Sequence, residues 1–312
     1  MERKVIVLAG PTCSGKTTLS ILLADKLNTE IISADSRQFY KYLDIGTAKP
    51  DKHVLKKVKH HFIDILEPDE YFNVSLFEKQ ALNIIDGLLD KNKIPIVAGG
   101  SGLYIKALTE GIFDEADINE EIRNKFMLIK EEAGNEGLYK ELKLVDPESA
   151  AKMLPQNWKR VLRALEVYYS TGQSIWKFHE KQVREVDIDF RMYGLNWKRE
   201  VLYKNIELRV DSMIDNGLID EIKYILDKGY NKTLNSLNTV GYKEIISYLE
   251  GEIKLDRAVD LIKRNTRRYA KRQMTWFRGV EGVHWFDVAS SDDLNNISEE
   301  IIKSEGLFER EN

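Results

Sequence analysis

Val5 to Ala9 is an unbroken apolar run that follows charged residues and ends at Gly10. A short run of this kind, rich in β-branched residues and stopped by glycine, predicts a strand covered on both faces. Thr17 to Leu27 comes next, with apolar residues recurring at helical spacing, so the chain opens as strand, loop, helix. Glu30 to Ser33 predicts a second strand and Ile94 to Ala98 a third. Between them Leu76 to Leu89 carries Leu, Phe and Ile at three- and four-residue intervals, the pattern of a crossover helix. Strands alternating with helices predict a parallel α/β sheet.

The pattern changes after Gly111. Helical periodicity dominates residues 114–190, with segments at Asn119 to Glu132, Gly137 to Lys143, Ala150 to Met153 and Trp158 to Ser170. Arg191 to Asn196 predicts a returning strand, followed by helices at 199–215, 217–228, 240–250 and 255–276 and a last strand at Val283 to Asp287. The expected architecture is an α/β protein with a P-loop NTPase-like parallel sheet flanked by helices and a helical insertion domain. Its core is 1–113 plus 191–290, the insertion is 114–190, and 291–312 is a polar C-terminal tail.

A length of 312 residues allows a sizeable core in one large or two modest domains. Hydrophobic residues at 43% and charged residues at 31% are close to the globular average, which excludes a disordered or fibrous chain. The apolar runs are far shorter than the ~20 residues needed to span a bilayer, so no membrane segment is expected. Cys13 is the single cysteine, which rules out an intramolecular disulfide and favours a reducing cytoplasm. A net charge of -4 gives no global attraction to nucleic acid, so an RNA site has to be a local basic surface.

Gly10, Pro11, Thr12, Cys13, Ser14, Gly15, Lys16 and Thr17 match GxxxxGK[ST] between a predicted strand and a predicted helix. Such a loop turns backbone N–H groups toward an anion, the helix N-terminus adds partial positive charge, and Lys16 adds a full one. Thr17 is placed to ligate a Mg²⁺ ion that bridges phosphates. The loop reads phosphate only: ATP, as in a nucleotide kinase, and another diphosphate fit equally.

Asp35 follows the second strand and so belongs at the carboxyl edge of the sheet, where open α/β folds bind ligands. There a carboxylate ligates metal or takes a proton, although Asp is also a common helix cap. The segment AGGSGLY, Ala98 to Tyr104, ends the third strand on the same edge. From Arg257 to Arg278 eight basic residues stand against Asp260 alone. Positions 264, 267, 268, 271 and 272 share one helical face, and Tyr269, Trp276 and Phe277 add aromatic surface. Basic side chains bind RNA phosphates and aromatics stack on unpaired bases, while the plain alternative is a solvated helix face.

Together the stretches GPTCSGKT (10–17), ADSRQFYKYLDIGTAKP (34–50), HHFIDILEP (60–68), IPIVAGGSGLYIKAL (94–108), KRVLRALEVY (159–168), VGYKEIISYLEGE (240–252) and AKRQMTWFRG (270–279) resemble the bacterial tRNA dimethylallyltransferases, also called tRNA isopentenyltransferases. The resemblance covers nearly the whole chain. It implies transfer of a dimethylallyl group from dimethylallyl diphosphate to N6 of adenine 37 of tRNA, beside the anticodon, with release of diphosphate and with Mg²⁺ present. The phosphate loop then holds a leaving group, Asp35 removes the amino proton, and Arg209 stabilises the departing diphosphate. Ser101, a third candidate catalytic residue beside Asp35 and Arg209, stands where the family usually has threonine in GGTGLY. Contacts to the anticodon stem-loop map onto Asp35, Ser36, Arg37, Gln38, Ser101, Arg123, Lys159, Arg160, Val161, Leu162 and Arg163, and also Asn238 to Lys243. The insertion then clasps the tRNA, and the target base has to be flipped out of its stack. A monomer is expected.

Three other readings start from the same residues. A nucleotide kinase needs the loop and sheet but no RNA. A prenyltransferase acting on free adenosine phosphates needs Asp35 but neither a basic helix nor a helical clasp. A non-catalytic RNA-binding protein has no use for Lys16, Thr17, Asp35 and Arg209 together.

Overall fold

The computed structural model describes residues 3–112, 119–177 and 187–307. The chain divides into two compact units, Met1–Thr109 with Asp187–Asn312, and Glu110–Val186.

The first unit is built on six strands, β1 (Lys4–Ala9), β2 (Ile31–Ser33), β3 (His60–His61), β4 (Ile96–Ala98), β5 (Asp189–Trp197) and β6 (His284–Val288). They lie in the order β3-β2-β4-β1-β5-β6, and every pairing is parallel. β1 is central, with Ile6 between Ile96 on one side and Arg191 on the other. Successive β1 side chains point to opposite faces. Val5, Val7 and Ala9 accordingly pack with Phe77, Ile85 and Phe277, whereas Ile6 and Leu8 pack with Leu19, Leu23 and Ile301. Covering both faces is what makes the run continuously apolar.

The helices of this unit are α1 (Lys16–Lys26), α2 (Lys52–Lys57), α3 (Val74–Leu89) and α4 (Gly102–Glu110), and after the insertion α8 (Arg199–Asp215), α9 (Leu218–Asp227), α10 (Tyr242–Leu249), α11 (Leu255–Arg278) and α12 (Asp293–Ser304). The second unit holds α5 (Glu120–Val145), α6 (Pro147–Ala151) and α7 (Trp158–Thr171). The two helices expected at 119–132 and 137–143 form a single run interrupted at Gly134, whose φ of 68° and ψ of -168° are not helical. Phe126, Leu138, Leu142, Val161 and Leu165 form the core of this unit.

Three expectations are corrected. The stretch after Ser290 is not merely a polar tail: α12 buries Leu294, Ile297, Ile301 and Ile302 in the same cluster as Leu19 and Leu23 of α1. Their spacing of three, seven and eight residues makes a narrow apolar stripe in an otherwise polar segment. The returning strand starts at Asp189, before the expected core boundary at 191, because the Asp189 N–H bonds Arg3 O and extends the pairing with β1. The boundary expected at 113/114 lies outside the described residues. Finally α2, β3 and α4 were not expected as elements. α2 is short and lysine-rich, and Asp51 caps it by accepting from His53 N and Val54 N.

Candidate active site

Parallel strands end on one edge, and the loops that leave β1, β2 and β4 there enclose a pocket. It is lined by residues 12–18, Ser33, Asp35, Gln38, Thr47, Ala48 and 98–100, and by Arg209, Tyr269 and Gln273 from α8 and α11. Thr12 to Thr17 of the loop line this pocket, whereas Gly10 and Pro11 do not. The loop needs glycine at Gly15, where φ is 93° and an added Cβ would stand 2.9 Å from Leu294 Cδ1. Cys13 also has positive φ, 62°, and packs against the cluster of Leu202, Ile206 and Ala270. The indole N–H of Trp197 donates to Ser14 O at 2.9 Å and so ties the loop to β5.

Two polar groups of the loop are poised for an anion. Ser14 Oγ is buried and has no hydrogen-bond partner among the described residues. Lys16 donates to Pro11 O, and burial lowers its pKa from 10.5 to about 8, against the opposing pull of Asp35 and with a smaller push from Arg209. A buried ammonium with so depressed a pKa is under-compensated, which an incoming diphosphate would relieve. Arg209 Nη1 lies 3.4 Å from Thr12 Oγ1, so a second cation stands at the loop. The hydroxyl-bearing Thr17 is exposed at the pocket mouth.

Asp35 sits immediately past β2. Its carboxylate accepts the Arg37 N–H at 3.0 Å. Burial raises its pKa, opposed by that hydrogen bond and by the charges of Lys16 and Arg37. The close approach of the β2 and β4 turns fixes its position: Ser101 N donates to Ala34 O, and a Cβ on Gly99 would fall 2.1 Å from that oxygen. Ser101 Oγ accepts from Ser36 N at 3.2 Å and donates to Ser36 Oγ at 3.4 Å, so its hydroxyl joins the two turns.

Gln38 is mostly buried, and its amide faces inward. Nε2 donates to Thr47 O and Ala48 O, and Oε1 accepts from Ser33 Oγ. One oxygen lone pair is left for anything else. Arg37 is held by Asn235 O at 2.7 Å.

Two residues of this network carry no signal in their local sequence. Gln273 Oε1 accepts from Thr12 N and its Nε2 donates to Gly100 O, both at 2.8 Å, which bridges the phosphate loop and the β4 turn. Glu221 of α9 accepts from three consecutive backbone amides, Asp44, Ile45 and Gly46, and from Tyr242 Oη. It thereby anchors the loop that presents Thr47 and Ala48 to the pocket. Tyr242, Gly241 and Lys243 belong to the 238–243 stretch, but Tyr242 is fully buried and Gly241 N is satisfied by Glu244.

The expected basic face of α11 is partly internal. Arg267 pairs with Glu207 and Lys263 with Asp211, both on α8, because α11 packs along that helix. Arg268, Lys271, Arg272 and Arg278 remain exposed, while Tyr269 lines the pocket.

The remaining predicted RNA contacts lie in the second unit. Lys159 and Arg160 are exposed, and Arg123 and Arg163 are half-buried. Val161 and Leu162 are corrected as side-chain contacts: both are buried in the helical core, because the inward face of α7 passes through them. Among the described residues no three His, Cys, Asp or Glu side chains converge as a metal site, and no helix is long and apolar enough to cross a membrane.

The family model described as IPP transferase matches residues 38–280. A tRNA dimethylallyltransferase of Alkaliphilus oremlandii is 48% identical over 97% of both chains, and one of Acetivibrio thermocellus is 47% identical over 96% of this chain and 95% of its own. Among solved structures, the tRNA isopentenylpyrophosphate transferase of Bacillus halodurans superposes with a TM-score of 0.70 at 38% identity, covering 96% of each chain. A eukaryotic dimethylallyltransferase acting on tRNA gives a TM-score of 0.82 at 29% identity, over 99% of this chain and 81% of that one. A likeness this strong over nearly the full length places the chain in the IPP transferase family.

Proposed function

We propose that this enzyme transfers the dimethylallyl group of dimethylallyl diphosphate to N6 of adenine 37 in tRNA, releasing diphosphate. The observation that carries the reading is the meeting of Lys16, Asp35 and Arg209 in one pocket, each delivered by a different element. Family membership supports the acceptor, and the pocket is consistent with the roles assigned below.

Breaking the bond between the prenyl C1 and its oxygen builds negative charge on the diphosphate. Loop amides, Lys16 and Arg209 surround the place where that charge develops, and Ser14 Oγ has a hydrogen bond still to make. Asp35 is assigned as the group that takes the N6 proton. Its burial raises its proton affinity toward what a general base requires, opposed by the Arg37 N–H and by the charge of nearby Lys16. The exposed hydroxyl of Thr17 at the pocket mouth would hold a Mg²⁺ ion. When bound, that ion would neutralise charge on the leaving group. Gln38 and Ser101, fixed by their own hydrogen bonds, hold the wall against which the flipped base is read. The protein is assigned to the cytoplasm as a monomer.

The test is transfer of radiolabel from dimethylallyl diphosphate to unmodified tRNA carrying adenine 37, beside AMP and a tRNA with guanine at that position. Label on the adenine-bearing tRNA alone is expected. Label on AMP would move the acceptor to free nucleotides, and no label on any acceptor would overturn the reading.

A further inference from the structure

Between β2 and α2 the chain forms no helix or strand, yet it delivers Asp35, Gln38, Thr47 and Ala48 to the pocket. Segments without regular hydrogen bonding need other ties to keep a fixed shape. Lys49 supplies three. Its side chain is only 3% exposed, and all three ammonium protons are spent, on Tyr40 O at 2.6 Å, on Asp44 Oδ1 at 2.7 Å and on the carboxylate of Asp64. These partners come from three stretches: the turn that follows Asp35, the 44–48 loop, and the chain after β3. A compact ammonium whose donors diverge suits such a set, where a planar guanidinium does not.

Backbone strain is gathered around this ammonium. Seven residues other than glycine have positive φ among the described residues, and four of them are Tyr42 (68°), Ala48 (51°), Phe62 (63°) and Asp64 (55°). Asp64 is a partner of Lys49, Ala48 precedes it in the chain, and Tyr42 lies between the partners Tyr40 and Asp44. Left-handed backbone at such residues is costly and persists only where surrounding contacts impose it.

The strained residues lead into the site. Ala48 lines the pocket, and its carbonyl together with that of Thr47 accepts from Gln38 Nε2. Asp64 N donates to Gln38 O at 3.2 Å and Ile65 N to Phe39 O at 2.9 Å, while Gln38 N donates to Asp35 O at 3.2 Å. The ion pairs of Lys49 and these backbone bonds close one frame that reaches Asp35. The phosphate loop is tied separately, by Trp197 and Gln273.

We propose that Lys49 is a positioning residue for prenyl transfer: its ammonium imposes the strained shape of the 42–48 loop and, through it, the placement of Asp35 and Gln38 in the pocket. This rests on the reading of the enzyme as an adenine prenyltransferase. Lys49 touches no substrate, since its own partners take all its donors.

Full-length parent, Lys49→Met and Asp64→Ala proteins are compared by single-turnover transfer with dimethylallyl diphosphate and unmodified tRNA both saturating, by calorimetric titration with the donor, and by amide hydrogen exchange. Active sites are counted from the calorimetric stoichiometry, and rates are taken well below each melting temperature. Lys49→Met is expected to slow transfer per active site by about 10- to 100-fold, the scale of a misplaced reacting group, with donor affinity within about threefold of the parent. The amides of Asp64 and Ile65 should exchange at least about tenfold faster. A residue that only adds stability lowers the melting temperature and leaves the rate per folded site at the parental value. That result, or a donor affinity that falls as far as the rate, overturns the proposal.

If Lys49→Met does not give a folded protein by circular dichroism, Asp64→Ala carries the test. It leaves the ammonium two of its three partners and removes a carboxylate that is 44% exposed. Transfer slowed at least about fivefold with donor affinity unchanged supports the positioning role, and parental transfer overturns it. A parent that transfers no label to any tRNA would sink the functional reading alone. Exchange at Asp64 and Ile65 would then decide the role of Lys49, with parental exchange in the variant overturning it.

Discussion

The backbone N–H of Thr12 donates to Gln273 Oε1 at 2.8 Å, across 261 residues of sequence. The other end of the same amide donates to Gly100 O. One side chain of α11 therefore sets the distance between the phosphate loop and the turn after β4, and takes the Thr12 amide out of the set that can face an anion. Glu at this position keeps the acceptor for Thr12 but turns the bond to Gly100 O into a contact between two acceptors. It also adds negative charge to the pocket proposed to take diphosphate. Gln273→Glu should weaken donor binding by about 1–3 kcal/mol, read by calorimetric titration with dimethylallyl diphosphate. An unchanged affinity would show that the bridge does not set the loop.

Asp35→Asn keeps an oxygen for the Arg37 N–H but cannot take a proton. Single-turnover transfer with donor and tRNA both saturating should slow by about 10²- to 10⁴-fold, with donor and RNA affinities within a few fold of the parent. Because burial holds the Asp35 pKa above its usual 3.8, the acid limb of kcat/KM in the parent should lie above that value. Transfer at the parental rate by the Asn variant would remove Asp35 as the base.

Lys16 makes donor binding fade in alkali. With its pKa lowered to about 8, the free enzyme loses this charge as pH rises through 8, and donor affinity should fall by up to about tenfold per pH unit above it. Folding stability runs the other way. The unfolded chain keeps the Lys proton up to about 10.5, so between about 8 and 10.5 it binds more protons than the native state, and stability gains a rising component. Lys16→Met should bind donor weakly at every pH and lack both slopes, checked by donor titration and thermal melts from pH 7 to 10.

Glu221 satisfies three consecutive amides and the Tyr242 hydroxyl. Glu221→Ala should cost about 2–3 kcal/mol in urea unfolding, since three of the abandoned donors are part-buried, with only that of Asp44 exposed, and an unmet donor of this kind costs about 1 kcal/mol. Tyr242→Phe removes one of the four bonds and should cost about 1 kcal/mol. If Glu221→Ala unfolds at the parental midpoint, the loop at 44–46 is held by something else.

The features legible in the sequence are the local ones. Residues 10–17 announce themselves because loop, strand and helix follow one another without interruption, and Asp35 is legible because it stands at the end of a strand. Arg209 had no local signal beyond a charge on a helix and came only with the family resemblance. Gln273 and Glu221 were hidden for the same reason: their partners are Thr12 with Gly100 and the 44–46 loop, and no periodicity reports a contact between such distant segments. The helix at 293–304 was a different kind of miss. Its stripe of Leu294, Ile297, Ile301 and Ile302 was visible, but strong surrounding polarity masked it. β3, two residues long, is a strand only because β2 lies beside it.

The strand order also fixes a timetable for biosynthesis. β1 leaves the ribosome first, yet the neighbours that flank it are β4 and β5, and β5 begins about 180 residues later. Leu294, which abuts Gly15, comes later still. A nascent chain that already displays the whole GPTCSGKT loop therefore has one edge of its central strand open and nothing packed beneath the loop. Competence to grip the donor arrives only when the far end of the chain folds back, so the fold itself withholds this site from unfinished polypeptides.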